Sequence, residues 1–288
     1  MPPGTGSSVS CSRVLTPSGG SSNLVTRVAT AAVGIPLVLV VNYLGGWGLA
    51  LLVAAASLVG SFELRQMLRQ GGRRPLLPIA ALGSAVLATA PLFNHRPEAI
   101  WVGVIVAIMC LAGGYYLLPP VFATGFPNWM ATVSIPLYSG LLLGLLHLLR
   151  YARHGAWWIV LVLVMTWAYD TGAYFAGRKF GHTPFMQHVS SKKTREGVLG
   201  GLLLSTLAGL LGVWRIGLAP WQALLLGLLT GVVAQIGDLV ESMMKRSSGV
   251  KDSGTIIPGH GGLLDRIDSL LFTGALGFYA AVILGYGP

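Results

Sequence analysis

Nine acidic side chains occur in the 288-residue sequence: Glu63, Glu98, Asp170, Glu196, Asp238, Glu241, Asp252, Asp265 and Asp268. Seven of them fall between positions 170 and 268, and Lys192, Lys193, Lys245, Arg246, Lys251 and Arg266 share that stretch. Carboxylates suit Mg²⁺, a hard cation commonly held by one or two carboxylates plus substrate phosphates. Lys and Arg then neutralise the remaining phosphate charge. The combination points to phosphoryl or nucleotidyl chemistry. A proton or cation pathway would also use buried acids, but it gives no reason for so many bases beside them.

The elements that position these residues are membrane helices. The chain is 53% hydrophobic and only 10% charged, against roughly 25% charge in ordinary soluble domains, so a water-soluble globule is excluded. Apolar runs long enough to cross the ~30 Å hydrocarbon core recur along almost the whole length. Nine spans are predicted, at 26–44, 47–68, 76–93, 99–118, 129–149, 156–177, 198–218, 221–244 and 265–286. The expected fold is an all-α, polytopic membrane bundle of about nine transmembrane helices. Forty glycines read mainly as close helix packing.

A carboxylate near a bilayer costs about 2.5–3.5 kcal/mol on insertion scales and so faces water or protein. Asp170 lies eight residues before Arg178, roughly 12 Å from the end of its span. Asp238 lies seven residues before Lys245, roughly 10 Å from the same face. Asp265 and Asp268 enter the ninth span three apart, on one side of a helix. These four carboxylates are expected to converge on a cleft.

Loop charge sets the expected orientation. With the N-terminus inside, Arg13, Arg27, Arg65, Arg69, Arg73, Arg74, Arg178, Lys179, Lys192, Lys193, Arg195, Lys245, Arg246, Lys251 and Arg266 are cytoplasmic. Arg96, Arg150, Arg153 and Arg215 remain outside, which is a clear positive-inside bias. The cleft then faces the cytoplasm and the C-terminus ends outside, with a bacterial cytoplasmic membrane as the expected location. The formal net charge of +10 reads as orientation first and anionic substrate second, and no nucleic acid is expected. Residues 1–23, rich in Gly, Ser and Pro, are predicted to be a disordered tail. Residues 24–155 form an N-terminal group of about five transmembrane helices, and 156–288 form a catalytic region. Cys11 and Cys110 make neither a disulfide framework nor a four-ligand metal site.

The segment 235–268 contains Asp238, Ser242, Lys245-Arg246, Lys251-Asp252, Pro258-Gly-His260-Gly-Gly and Asp265-Arg266-Ile-Asp268. In these elements and their spacing it closely resembles the signature of the phosphatidate cytidylyltransferases, also called CDP-diacylglycerol synthases. Asp170-Thr-Gly-Ala-Tyr174 and Ser190-Ser-Lys192-Lys193-Thr194 resemble further family segments, with Ser191 where the family commonly has proline. The resemblance is strong over roughly 160–288, while the first five spans match in general character. It implies transfer of CMP from CTP to phosphatidic acid, giving CDP-diacylglycerol and pyrophosphate, with Mg²⁺ as cofactor. A second, monovalent cation and a homodimer are left open.

Carried over residue by residue, the resemblance makes Asp238 and Asp265 the first candidates for metal ligands and catalytic residues, with Lys245 and Arg266 beside them. Asp268 is a third candidate ligand, although an Asp near a helix start equally serves the helix dipole. Lys192, Lys193, Thr194, Arg246, Lys251, Asp252, His260 and Asp170 are candidate substrate-binding residues. The basic residues have a competing explanation, since cytoplasmic loops are basic anyway. Arg65, Arg69, Arg73 and Arg74 lack motif support and are assigned to topology or lipid headgroups. Glu241 and Lys245, four apart, could be only a helix-surface pair.

Headgroup motifs do not separate acyl from isoprenyl chains. A CTP-using enzyme acting on another lipid phosphate, or a CTP-dependent lipid kinase, is therefore the runner-up. A cation-coupled transporter is the alternative from another class, but the repeated inverted halves of many transporters are not seen.

Overall fold

The computed structural model describes residues 20–190, 192–254, 256 and 261–288. Within them every predicted span is helical. Helix α1 covers Gly20–Leu44, α2 Gly46–Gln70, α3 Leu77–Phe93 and α4 Glu98–Tyr116. The fifth span is composite: a 3₁₀ turn at Val121–Thr124, α5 at Gly125–Ile135, a π-turn at Pro136–Leu141 and α6 at Leu142–Leu149. Helix α7 covers Gly155–Phe180, α8 Arg195–Gly209, α9 Leu211–Arg215, α10 Pro220–Ser247 and α11 Leu264–Ile283. Seven helical stretches are long and apolar enough to cross a membrane, while Ala32–Leu44 and Leu77–Phe93 are shorter apolar helices. The chain is an integral membrane protein with multiple apolar spans. Helix α1 starts at Gly20, ahead of the expected 26, so residues 20–23 of the predicted tail are helical. The rest of that tail, residues 1–19, lies outside the described residues.

Burial in lipid gives little drive for helix association, so packing relies on small residues and interhelical hydrogen bonds. Helices α7 and α8 show this most closely. A Cβ at Gly172 would stand 2.5 Å from the carbonyl oxygen of Gly200, and one at Gly201 would stand 2.9 Å from that of Tyr169. Polar pairs tie helices α7, α8, α10 and α11 together. Thr166 and Thr273 hydroxyls meet at 2.9 Å, Ser205 Oγ donates to the Gly227 carbonyl at 2.8 Å, and Ser269 Oγ donates to the Ala234 carbonyl at 3.1 Å.

The N-terminal half uses the same devices. Pro136 has no N–H for the regular ladder, and the chain passes this point through the π-turn. There Ser139 Oγ lies 2.9 Å from Ser61 Oγ on α2, which in turn donates to Ser84 Oγ on α3 at 2.8 Å. Trp158, Leu64, Met67, Leu148, Met165, Leu264 and Leu271 fill the interior. Leu203, Leu207, Trp214, Trp221 and Leu225 point outward, as lipid-facing positions should.

Candidate active site

The connection between α7 and α8 is long but held by hydrogen bonds. Phe185 N–H donates to the Lys193 carbonyl at 2.8 Å, and Arg195 N–H donates to the Thr183 carbonyl at 2.9 Å. Glu196 accepts from the His182 and Thr183 amides at 3.1–3.2 Å. Thr194 caps α8, its Oγ1 accepting from the Gly197 N–H at 3.2 Å. These bonds fix Lys193 and Thr194 against α7, where any side chain at Gly181 would meet Thr194 Oγ1 at 2.9 Å.

The result is a cleft of ≈ 500 Å³ between α7, α8 and α10. Asp170 comes from α7, Lys192, Lys193 and Thr194 from the connection, and Asp238 from α10. Lys193 Nζ lies 2.6 Å from Asp238 Oδ2. On the inner wall Tyr169 donates its hydroxyl proton to Gln235 Oε1 at 2.5 Å. Gln235 is buried, and its Nε2 has no partner among the described residues.

A second cluster sits where α10 and α11 cross. A Cβ at Gly237 would stand 2.9 Å from the Asp268 carbonyl oxygen, so the backbones nearly touch and Asp238 and Asp268 become neighbours. Asp268 is within electrostatic reach of Asp170 and Asp238. Lys245 Nζ bridges Glu241 Oε2 at 2.9 Å and Asp265 Oδ1 at 2.7 Å. The other oxygen of Asp265 accepts from Ser253 N–H at 3.0 Å, Ser253 Oγ at 2.9 Å and Gly262 N–H at 2.9 Å. Glu241 is fully buried, so the Glu241–Lys245 pair lies inside the site rather than on a helix surface.

The predicted residues therefore separate. Asp170, Lys192, Lys193, Thr194 and Asp238 share one cleft, and Lys245 is paired with Asp265 beside it. Arg246 is exposed and reaches the Val189 and Val250 carbonyls only at 3.4 Å. Arg266 is exposed but within electrostatic reach of Asp170. Lys251 and Asp252 are exposed, with no side-chain hydrogen bond among the described residues. His260 lies outside the described residues.

Residues that the sequence did not single out also contribute. Glu63, on α2, is fully buried and accepts from the Leu263 and Leu264 amides, each at 2.9 Å. Its signal was an isolated carboxylate inside an apolar run, where the cost of burial demands a partner. Gln235 and Tyr169 carried no comparable signal, being ordinary polar residues in helical spans.

Asp238 and Asp265 fit Mg²⁺. Each offers a hard oxygen that already holds a lysine ammonium, a cationic stand-in. Among the described residues no three His, Cys, Asp or Glu side chains group to hold an ion alone. That suits a cation completed by substrate phosphates.

Residues 25–284 match the model of the cytidylyltransferase family. The chain is 36% identical over 292 residues to a phosphatidate cytidylyltransferase of Synechocystis sp. (strain ATCC 27184 / PCC 6803 / Kazusa), covering 90% of this chain and 96% of the relative. It is 35% identical over 260 residues to that of Brucella suis, covering 88% and 92%. It is 32% identical over 257 residues to that of Mycobacterium tuberculosis H37Rv, covering 85% and 77%. The chain belongs to the phosphatidate cytidylyltransferase family of membrane nucleotidyltransferases.

Proposed function

We propose that this protein transfers CMP from CTP to phosphatidic acid, releasing pyrophosphate and forming CDP-diacylglycerol. The observation that carries this reading is the pairing of Asp238 with Lys193 and of Asp265 with Lys245, at 2.6 and 2.7 Å, beside one cleft. Acids and bases so arranged serve a phosphate-bearing substrate with its cation. In the proposed orientation the cleft opens to the cytoplasm, where CTP is dissolved, and its walls run into the bilayer, where the lipid lies. Residues 156–288 are the proposed catalytic region.

Asp238 and Asp265 would hold Mg²⁺ together with substrate phosphates, with Asp268 next to Asp238 shaping the site. The bound ion supplies Lewis-acid stabilisation of charge on phosphate oxygens. Lys193 and Lys245 leave their carboxylates for phosphate oxygens when CTP enters, as a flexible ammonium allows. Lys192, Thr194 and Arg266 add donors at the mouth of the cleft. A phosphate oxygen of the lipid attacks the α-phosphorus of CTP, and the bond from that phosphorus to the bridging oxygen of pyrophosphate breaks. The lysines stabilise the charge that builds on the leaving group. No covalent intermediate on the protein is needed.

The test is release of pyrophosphate by detergent-purified protein given CTP, Mg²⁺ and phosphatidic acid, with Asp265→Asn and a lipid-free mixture as controls. Lipid-dependent release with formation of CDP-diacylglycerol, lost in the variant, is the expected result. Folded wild-type protein that turned over only with an isoprenyl phosphate, measured in the same assay, would reassign the lipid substrate.

A further inference from the structure

The first N–H groups of a helix have no partner inside it, and that end carries partial positive charge. Helix α11 begins at Leu264, immediately ahead of Asp265. The donors at its start and just before it are shared between two carboxylates. Glu63 Oε1 takes the Leu263 N–H and Oε2 takes the Leu264 N–H, each at 2.9 Å and from a helix two hundred residues away in sequence. Asp265 Oδ2 takes the Gly262 N–H, together with the Ser253 N–H and hydroxyl.

Two described glycines of the motif segment pack against Glu63. A Cβ at Gly254 would stand 2.7 Å from Glu63 Oε1, and one at Gly262 would stand 2.8 Å from Oε2. At both positions a side chain would crowd the buried carboxylate, and at Gly262 it would also meet Ser253 Oγ. The Glu63 side chain is enclosed by the very segment whose amides it holds.

The division determines what is left of Asp265. With the Leu263 and Leu264 amides satisfied by Glu63, only Oδ2 of Asp265 serves the helix start, and Oδ1 faces Lys245 at 2.7 Å. Without Glu63, two donors in a buried turn would need another acceptor, and the carboxylate on the same turn is Asp265. Drawing it further onto the helix end would turn Oδ1 away from Lys245.

We infer that Glu63 is a positioning residue for the site: it accepts the Leu263 and Leu264 amides so that Asp265 keeps one oxygen for Lys245 and for Mg²⁺. The inference rests on the reading of Asp265 as a metal ligand and reaches from the N-terminal helices into the motif. Partners that orient metal ligands are typically worth 10–100-fold in metal affinity.

The test uses full-length detergent-purified protein and hydrogen–deuterium exchange of the peptide covering 261–266, without substrates. In metal-free protein Glu63→Gln should raise exchange at Leu263 and Leu264 about tenfold or more, at an unchanged size-exclusion profile. Added Mg²⁺ should slow exchange of this peptide in the wild type and not in Asp265→Asn. The Mg²⁺ midpoint should move up about 10-fold in Glu63→Gln. Glu63→Asp, which keeps the charge but shortens the reach, should fall between and carries both readouts if the glutamine variant does not fold. Unchanged exchange overturns the inference, and so does faster exchange with an unmoved midpoint, which would make Glu63 a helix cap only. Absence of Mg²⁺ protection in the wild type also overturns it. Because exchange needs no turnover, failure of the proposed reaction would show separately, in the pyrophosphate assay.

Discussion

Two sets of cations, one at each end of the bundle, are held in different ways. At the end where α1 meets α2, Arg150 donates to the Asn42 and Tyr43 carbonyls at 2.8 and 3.1 Å. Nearby, Arg153 lies over the Tyr286 ring at 5.3 Å and Arg215 lies over Trp157 at 4.5 Å. At the other end Lys193 and Lys245 sit on Asp238, Glu241 and Asp265, and these are all the ion pairs found among the described residues. A planar guanidinium fixed on carbonyls and rings closes a helix end permanently. An ammonium on a flexible stem, facing a carboxylate, can be handed to a phosphate. Charge alone does not mark a site; the exchangeability of its partner does.

Substitutions at the two ends should separate accordingly. Asp238→Asn and Asp265→Asn should each lower lipid-dependent pyrophosphate release about 10²–10³-fold, measured at saturating CTP and lipid. Next in size, Lys193→Met should cost roughly 10²-fold in kcat/KM for CTP, and Lys193→Arg should restore little, since a rigid fork does not replace a mobile point charge. Tyr169→Phe removes the bond that fixes the Gln235 side chain in the cleft wall. It should raise one substrate KM about 3–10-fold, the worth of one hydrogen bond, as steady-state titrations of CTP and lipid would reveal. Smallest in catalysis is Arg150→Ala, expected to leave kcat within twofold. Its loss should instead cost about 1–3 kcal/mol of stability, read as a lower thermal midpoint in detergent. An Arg150→Ala protein that kept its midpoint but lost turnover would break the comparison.

Much of this was legible in the residues. The nine helical stretches follow from apolar runs and their interruptions. Depth and spacing put Asp170, Asp238, Asp265 and Asp268 on one cleft; Asp170 and Asp238 line it, whereas Asp265 is held by Lys245. Lys245 was readable as a motif residue and as a neighbour of Glu241 at i,i+4. Its second partner, Asp265, lies 20 positions away and depends on how α10 crosses α11. Arg246, Lys251 and Asp252 matched the motif as well as Lys245 did, yet they stand exposed at the rim.

Glu63 marks the limit most clearly. Its position in an apolar run announced that it must have a partner, because an unpaired carboxylate in a membrane helix is costly. Which partner could not be read, since the two amides it holds belong to the backbone and carry no side-chain identity. The sequence by itself determined a helical membrane protein, its spans and the chemistry of its motif, because hydropathy and residue type act locally along the chain. Only the tertiary structure decided which carboxylate faces which lysine and what holds α11 in place. Those pairings depend on close approaches that glycine permits, at Gly237 against Asp268 and at Gly262 against Glu63, between segments far apart in sequence.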